Sequence, residues 1–271
     1  MIYTFEYNET MELGLILAFL IGWGGGLLAN YLADVLPHTR RFSQPACPHC
    51  NSHYSWADYL LFRACRACGR KRSLRTWLVQ IFVTALSLYI WTSPPAHLGY
   101  VLGMIVLLYF TMDFIIDAEH RLILHPTSIF GAALGLGVGL LRQGLVSTLI
   151  GGAVGFGIVY VFYLFGVLFT KMRARRLQAQ GFEADDEDAF GAGDVILAAI
   201  LGLMLGWPLI WFGILFGVLL GGVISVLVML VLYLSKKFES WMVFIPFGPF
   251  FIVSAFLMIF LPKLMAFLVP K

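Results

Sequence analysis

Three aspartates stand at the edges of long apolar stretches of this 271-residue chain. Asp113 and Asp117 close one stretch, and Asp194 opens another within Gly191-Ala192-Gly193-Asp194. A carboxylate at such a position is costly and is a functional candidate by default. On a helix, Asp113 and Asp117 share one face, about 6 Å apart along the axis. Asp117 and Asp194 come from different stretches and, by the charge distribution given below, from the same side of the membrane. Two carboxylates held close together do not both ionise easily. One keeps its proton and serves as general acid, while the other activates water as base. Hydrolysis of a peptide bond requires that division of labour. Each aspartate also has a plainer reading. Asp194 can be the N-cap of its helix, and Asp117 can pair with Arg121 one turn on. Asp113 and Glu119 are secondary candidates beside them, while other acidic residues, Asp34 and Asp58 among them, are read as lying in termini or loops.

Gly191 and Gly193 are expected to support the catalytic segment. Glycine tolerates an unwound backbone and a close approach. An extended substrate could then pair with exposed main chain beside Asp194, as in strand addition.

A second constellation is the set of cysteines. Cys47-Pro-His-Cys50 and Cys65-Arg-Ala-Cys68 form two C-x2-C pairs separated by fourteen residues. Each pair makes a knuckle, and two knuckles complete a tetrahedral Zn2+ site. The loop is cytoplasmic by its charge, and disulfides rarely persist there. A structural zinc in a ribbon-like knob is the leading reading. Two metal-free dithiols or a redox pair are the alternatives. His49 and His53 are nearby bystanders, because four thiolates already suffice.

The elements that must position these residues follow from composition. The chain is 60% hydrophobic and 12% charged, with a mean hydropathy of +0.88. A soluble domain is about 45–50% apolar and about 25% charged. An ordinary cytosolic enzyme, a disordered chain and a disulfide-stapled domain are excluded. A span needs about 20 apolar residues. Eight stretches qualify, at 13–33, 76–93, 98–116, 124–141, 146–169, 195–208, 211–234 and 242–262. The run from Val195 to Leu234 is divided at Trp207-Pro208 because it is about twice one span. The runs are continuous and Leu-rich, which excludes a barrel. Their glycines are read as packing residues. The expected fold is an all-α polytopic membrane protein of about eight transmembrane helices with a small cytoplasmic zinc-ribbon-like loop domain. Its expected parts are a tail and first helix at 1–37, the cysteine loop at 38–75 and a transmembrane peptidase region at 76–271.

Fifteen of the eighteen Lys and Arg fall in loops that alternate to one side; only Arg142, Lys263 and Lys271 fall on the other. The positive-inside rule puts the first side in the cytoplasm and both termini outside. No basic start or short apolar core marks a cleavable signal, so the first span is expected to stay.

These residues resemble the type IV prepilin leader peptidases, bacterial aspartyl proteases of the G-x-G-D class. Asp117-Ala-Glu-His-Arg121-Leu-Ile is similar to their first catalytic segment and Gly191-Ala-Gly-Asp194 to their second. Gly26-Leu-Leu-Ala-Asn30, followed by Leu36-Pro37, is similar to their N-terminal stretch, and the Pro-x-Cys-x-x-Cys loop is also similar. Two details depart. Leu36 precedes Pro37 where an Arg is often nearby, and Leu124-His125-Pro126-Thr127 stands for a Leu-Pro-Asp. The resemblance implies cleavage of the basic leader of type IV prepilins or pseudopilins at the inner membrane's cytoplasmic face. It further implies a possible N-methylation of the new terminus with S-adenosylmethionine. The partners expected are those substrates and membrane lipids, with no nucleic acid. A carboxylate-dependent transporter and a non-catalytic assembly protein are the rival readings. The acidic run Asp185–Asp188 reads as a solvated loop or an attractor for a basic leader. The cluster Arg70-Lys71-Arg72 reads as a lipid and topology anchor.

Overall fold

A computed structural model describes residues 2–179, 191–235 and 246–265. Within them the chain forms ten helices: α1 (Ile2–Thr39), α2 (Trp56–Leu60), α3 (Leu74–Thr92), α4 (Gly99–His120), α5 (His125–Gln143), α6 (Leu145–Ala179), α7 (Ala192–Leu205), α8 (Leu209–Leu234), α9 (Gly248–Phe260) and α10 (Pro262–Met265). Each of the eight apolar stretches finds a helix. The break after α7 falls at Gly206-Trp207-Pro208, where the long run was divided. Five helices are long and apolar enough to cross a membrane: Glu12–Thr39 of α1, α3, α4, Leu145–Met172 of α6, and α8. α7 and α9 are apolar but shorter, at 14 and 13 residues. The acidic run Asp185–Asp188 and the pair Lys236-Lys237 lie outside the described residues.

The chain divides into two compact units, Met1–His120 and Arg121–Lys271. In the first, α1, α3 and α4 pack on one another. The packing of α3 on α1 is polar and specific. Thr76, Gln80, Thr84 and Ser87 recur at helical spacing and are all buried. Three side chains bond main-chain carbonyls of the facing helix. Ser87 Oγ donates to the Ala18 carbonyl at 2.6 Å and Gln80 Nε2 to that of Trp23 at 2.7 Å. Asn30 Nδ2 donates to the Thr76 carbonyl at 3.2 Å and to that of Gly26 at 3.0 Å. In lipid such groups must find partners inside the protein. Gly22 and Gly26 make the approach possible, since a Cβ at either would strike the Ser87 or Gln80 side chain. Gly26 and Asn30, two of the residues behind the family resemblance, are therefore part of this seam.

In the second unit, α7 packs against α5, α6, α8 and α9. The α6–α7 seam is built on glycine. A Cβ on Gly151 would lie 2.4 Å from the Gly202 carbonyl oxygen, and one on Gly155 would lie 2.4 Å from that of Ala198. These are backbone contacts that cannot yield, and they bear out the packing role for Gly151 and Gly155, whereas Gly157 and Gly222, read the same way, face open space. Gln143 closes the end of α7, its Nε2 donating to the Leu203 carbonyl at 3.4 Å and, with the amide turned over, to that of Leu205 at 2.7 Å. Such a cap satisfies main-chain groups that the helix itself leaves open.

Gly151→Ala is expected to destabilise the protein in detergent by about 1–3 kcal/mol, the usual cost of overpacking. Gly157→Ala, on the same helix but facing open space, is expected to change stability by about 0.5 kcal/mol or less. Equal melting temperatures for the two variants would remove the glycine seam.

Candidate functional site

Asp117 lies in the last turn of α4 and Asp113 one turn before it, and both are buried, at 4% and 5% exposure. Tyr109 stands one turn before Asp113 on the same face of α4. Asp117 belongs to the first unit and Asp194 to the second.

Asp194 is in the first turn of α7, 8% exposed. It is not the N-cap, which corrects that reading: Gly191 is the N-cap, with an extended backbone. The physical reason is register. Asp194 is three residues past the cap, and its carboxylate reaches back to the Gly191 N–H, as the third residue of a capping box does. It accepts a second hydrogen bond from the backbone N–H of Gly248, at the start of α9. Gly191 is open around its Cβ position. Gly193 is already helical, and a Cβ there would press on Ile123 at 3.0 Å. Helix thus begins directly after Gly191, and unwound backbone does not continue up to Asp194. The turn Pro246-Phe247-Gly248-Pro249 escaped the sequence reading. Its signal was an isolated Pro-Phe-Gly-Pro inside an apolar stretch, a helix start with Pro in the first turn.

The cysteine knob is assembled as two knuckles. Asn51 N–H bonds the Cys47 carbonyl at 2.9 Å, and Gly69 N–H bonds that of Cys65 at 2.8 Å. Asn51 and Gly69 take the left-handed conformation, with φ of 55° and 70°. The two residue types that tolerate it best stand there. The four Sγ atoms lie within 4.8 Å of one another, with Cys47–Cys68 at 3.7 Å and Cys50–Cys65 at 3.6 Å. Sulfurs about 2.3 Å from one tetrahedral Zn2+ would stand about 3.8 Å apart. The donor set fits a metal ion. None of the four is in a disulfide, and His49 and His53 stay outside the cluster, as expected.

The thiols are not equivalent. The Ser52 hydroxyl, 3.3 Å away, and the Cys68 backbone N–H pull Cys65 down to about 6. The Arg70 N–H also acts to lower Cys68, but burial and the three neighbouring sulfurs outweigh it and push it up to about 11. Cys47 is lowered despite its burial, by the N–H groups of His49 and Cys50 and by the Tyr54 hydroxyl. Four crowded sulfurs thus share their protons until a cation allows all of them to ionise.

The knob is held to the helices by residues that charge counting had left in loops. Asp34 is not in a loop, because α1 runs on to Thr39. Its carboxylate accepts from the Tyr59 hydroxyl at 2.5 Å and from Arg72 at 3.1 Å, and it pairs with Arg75. Arg75 also donates to Glu119 at 2.9 Å, two residues past Asp117 on α4. Arg72 is not on the surface as a lipid anchor. Its side chain is 6% exposed, and its guanidinium lies 4.2 Å from the centre of the Tyr59 ring. The counter-ion on α1 draws it inward. Asp58, also placed in a loop, is buried at the start of the knob's helix and paired with Arg66 at 2.6 Å.

An all-helical membrane protein with buried helix-end aspartates and a four-cysteine knob able to hold a metal is the class that these features define. Residues 101–226, which include Asp113, Asp117 and the Gly191–Asp194 segment, match the type IV leader peptidase family. Over that segment the chain is similar to the family. The prepilin leader peptidase/N-methyltransferase of Myxococcus xanthus (strain DK1622) is 26% identical over 205 residues, covering 69% of this chain and 55% of the relative. The chain thus spans about half the length of that relative. No solved structure matches it.

Asp34→Asn is expected to cost about 3 kcal/mol of stability, because two arginines lose their counter-ion in a largely buried site. Unchanged melting would show that the cluster contributes nothing. Purified protein is expected to carry close to one zinc per chain, falling to near zero when Cys47 and Cys50 are both replaced by Ser. At neutral pH, binding is expected to release protons, Cys68 among the sources, read by calorimetry in buffers of different ionisation enthalpy. Zinc uptake that is independent of buffer would contradict thiolate ligation.

Proposed function

We propose that the protein is a prepilin leader peptidase. It cleaves the basic leader of type IV prepilins or of the pseudopilins of type II secretion. The observation that carries this is the pair of buried helix-end aspartates, Asp117 and Asp194, within the segment that matches the leader peptidase family. The excess of basic residues in alternate loops supports a bacterial inner-membrane placement. Both termini would lie outside, and the aspartates and the cysteine knob on the cytoplasmic face.

In this reading Asp117 and Asp194 share one proton. The ionised carboxylate takes a proton from water, whose oxygen attacks the carbonyl carbon of the scissile bond. The protonated partner then gives its proton to the leaving amide nitrogen as the C–N bond breaks. Gly191 and Gly248 orient Asp194 through their N–H groups, and the open flank of Gly191 leaves room for extended substrate backbone. Asp113 and Glu119, the latter held by Arg75, are the secondary candidates on α4. Cys47, Cys50, Cys65 and Cys68 would hold a structural Zn2+, which supplies folding energy to the knob and no hydrolytic chemistry. The relative's name also carries an N-methyltransferase activity. For this chain it would act on the newly freed terminus, with S-adenosylmethionine as methyl donor. The family match favours peptidase activity over carboxylate-dependent transport or a non-catalytic assembly role.

Asp117→Asn and Asp194→Asn are each expected to lower cleavage of a synthetic leader-plus-helix peptide by about 10³-fold or more, with insertion and melting retained. Mass spectrometry with and without S-adenosylmethionine reads cleavage and methylation separately. Cleavage at the wild-type rate by either variant would end the dyad assignment, with Asp113 the next residue to test.

A further inference from the structure

Between the cysteine knob and the first turn of α3 lies a cavity of about 380 Å³. Its walls include Asp34, Tyr54, Arg70, Lys71, Arg72 and Arg75. Four cations thus face one carboxylate. Arg72 and Arg75 are engaged by Asp34, and Arg75 also by Glu119. Among the described residues, Arg70 and Lys71 have no acidic partner. Arg72, whose side chain is more than nine-tenths buried, keeps its Nε donor without a partner. Ser73 and Thr76, at the N-terminus of α3, line the same cavity, and no side chain caps that helix end. Helix N–H groups and the helix dipole there add to the positive potential. A basic leader peptide would be repelled here, so the cavity has no place in the proposed substrate path.

We propose that this cavity binds a phosphate-bearing anion. Its size admits a phosphate ester with a small polar substituent, and its donors suit tetrahedral oxyanion geometry: guanidinium forks, an ammonium, hydroxyls and helix N–H groups. The cavity opens at the first turn of α3, a helix long and apolar enough to cross the membrane. Leu74, the first residue of that helix, and Leu78, one turn on, are 74% and 58% exposed. The phosphate of an anionic lipid can enter the cavity while its acyl chains lie along these leucines. Inorganic phosphate or a soluble phosphate ester offers the same group without the chains. The site is independent of the proposed aspartate chemistry.

The test uses the full, zinc-loaded chain in phosphatidylcholine nanodiscs, with and without phosphatidylglycerol. Native mass spectrometry counts retained lipid, and inorganic phosphate is the soluble competitor. The double variant R70Q/K71Q keeps the zinc ligands, Asp34 and both proposed catalytic aspartates, and its zinc content and melting serve as fold controls. Wild-type protein is expected to retain phosphatidylglycerol over phosphatidylcholine, and the variant to lose that preference roughly ten- to thirtyfold, the scale for two basic groups at an anionic lipid. Displacement by inorganic phosphate would assign recognition to the phosphate alone, and resistance to it would assign it to the lipid. Binding of phosphate without any lipid preference would assign the soluble source. Equal retention of both lipids by wild type with no phosphate binding, or an unchanged preference in R70Q/K71Q, would overturn the proposal.

Discussion

The carboxylate of Asp34 is the joint of the first unit. It stands on α1, five residues from the helix end, and meets Tyr59 of the knob, Arg72 of the connecting segment and Arg75 of α3. Arg75 passes the charge on to Glu119 at the end of α4. Removing charges from water is expensive, and a pair offsets that cost only when every lone pair and proton is used. Here two guanidiniums and a phenol share one carboxylate, and Arg72 also lies over the Tyr59 ring. Networks of this kind fix geometry because no single member can move alone. The cysteine knob is thereby tied to three helices, and the last turn of α4, with Asp117, is held from the side.

A second constraint operates within the apolar part of both units. Lipid offers no hydrogen bonds, so side chains within the helices must use one another's main chain. The α1–α3 seam does this through Ser87, Gln80 and Asn30. The α6–α7 seam instead excludes side chains, so that Gly151 and Gly202 bring two backbones together. The consequence for α7 is enclosure by four other helices. A short helix surrounded in this way carries a buried carboxylate in its first turn without lipid contact. The N–H groups of Gly191 and Gly248 then hold that carboxylate in place.

The knob applies different physics. Two left-handed turns point four sulfurs inward, and the turns are cheap because Asn51 and Gly69 occupy them. The sulfurs divide their protons unequally, with Cys65 near 6 and Cys68 near 11. A divalent cation makes that division unnecessary. A metal held there would couple its binding to the folding of the knob. Through Tyr59 and Asp34 that coupling would reach the membrane helices.

The sequence by itself determined the class, the helices and the candidate residues. Apolar runs of span length leave no other fold, and the break at Trp207-Pro208 was legible because two spans cannot share one helix. The C-x2-C pairs were legible because metal ligation needs local spacing, which a sequence displays. Asp113, Asp117 and Asp194 stood out because carboxylates are costly where they lie. Only the tertiary structure decided the partners. Asp34 and Asp58 read as loop charges, since ion pairs such as Asp34–Arg75 join residues 41 positions apart. Arg72 read as a lipid anchor because its counter-ion lies on another helix. Gly248 was silent for the same reason: its N–H matters only where the start of α9 meets the start of α7. The alternative of Asp194 as an N-cap fails by three residues of register, which only the backbone at Gly191 could set. Spacing along a chain shows what local chemistry is possible, whereas the balance of buried charge depends on neighbours that only folding brings together.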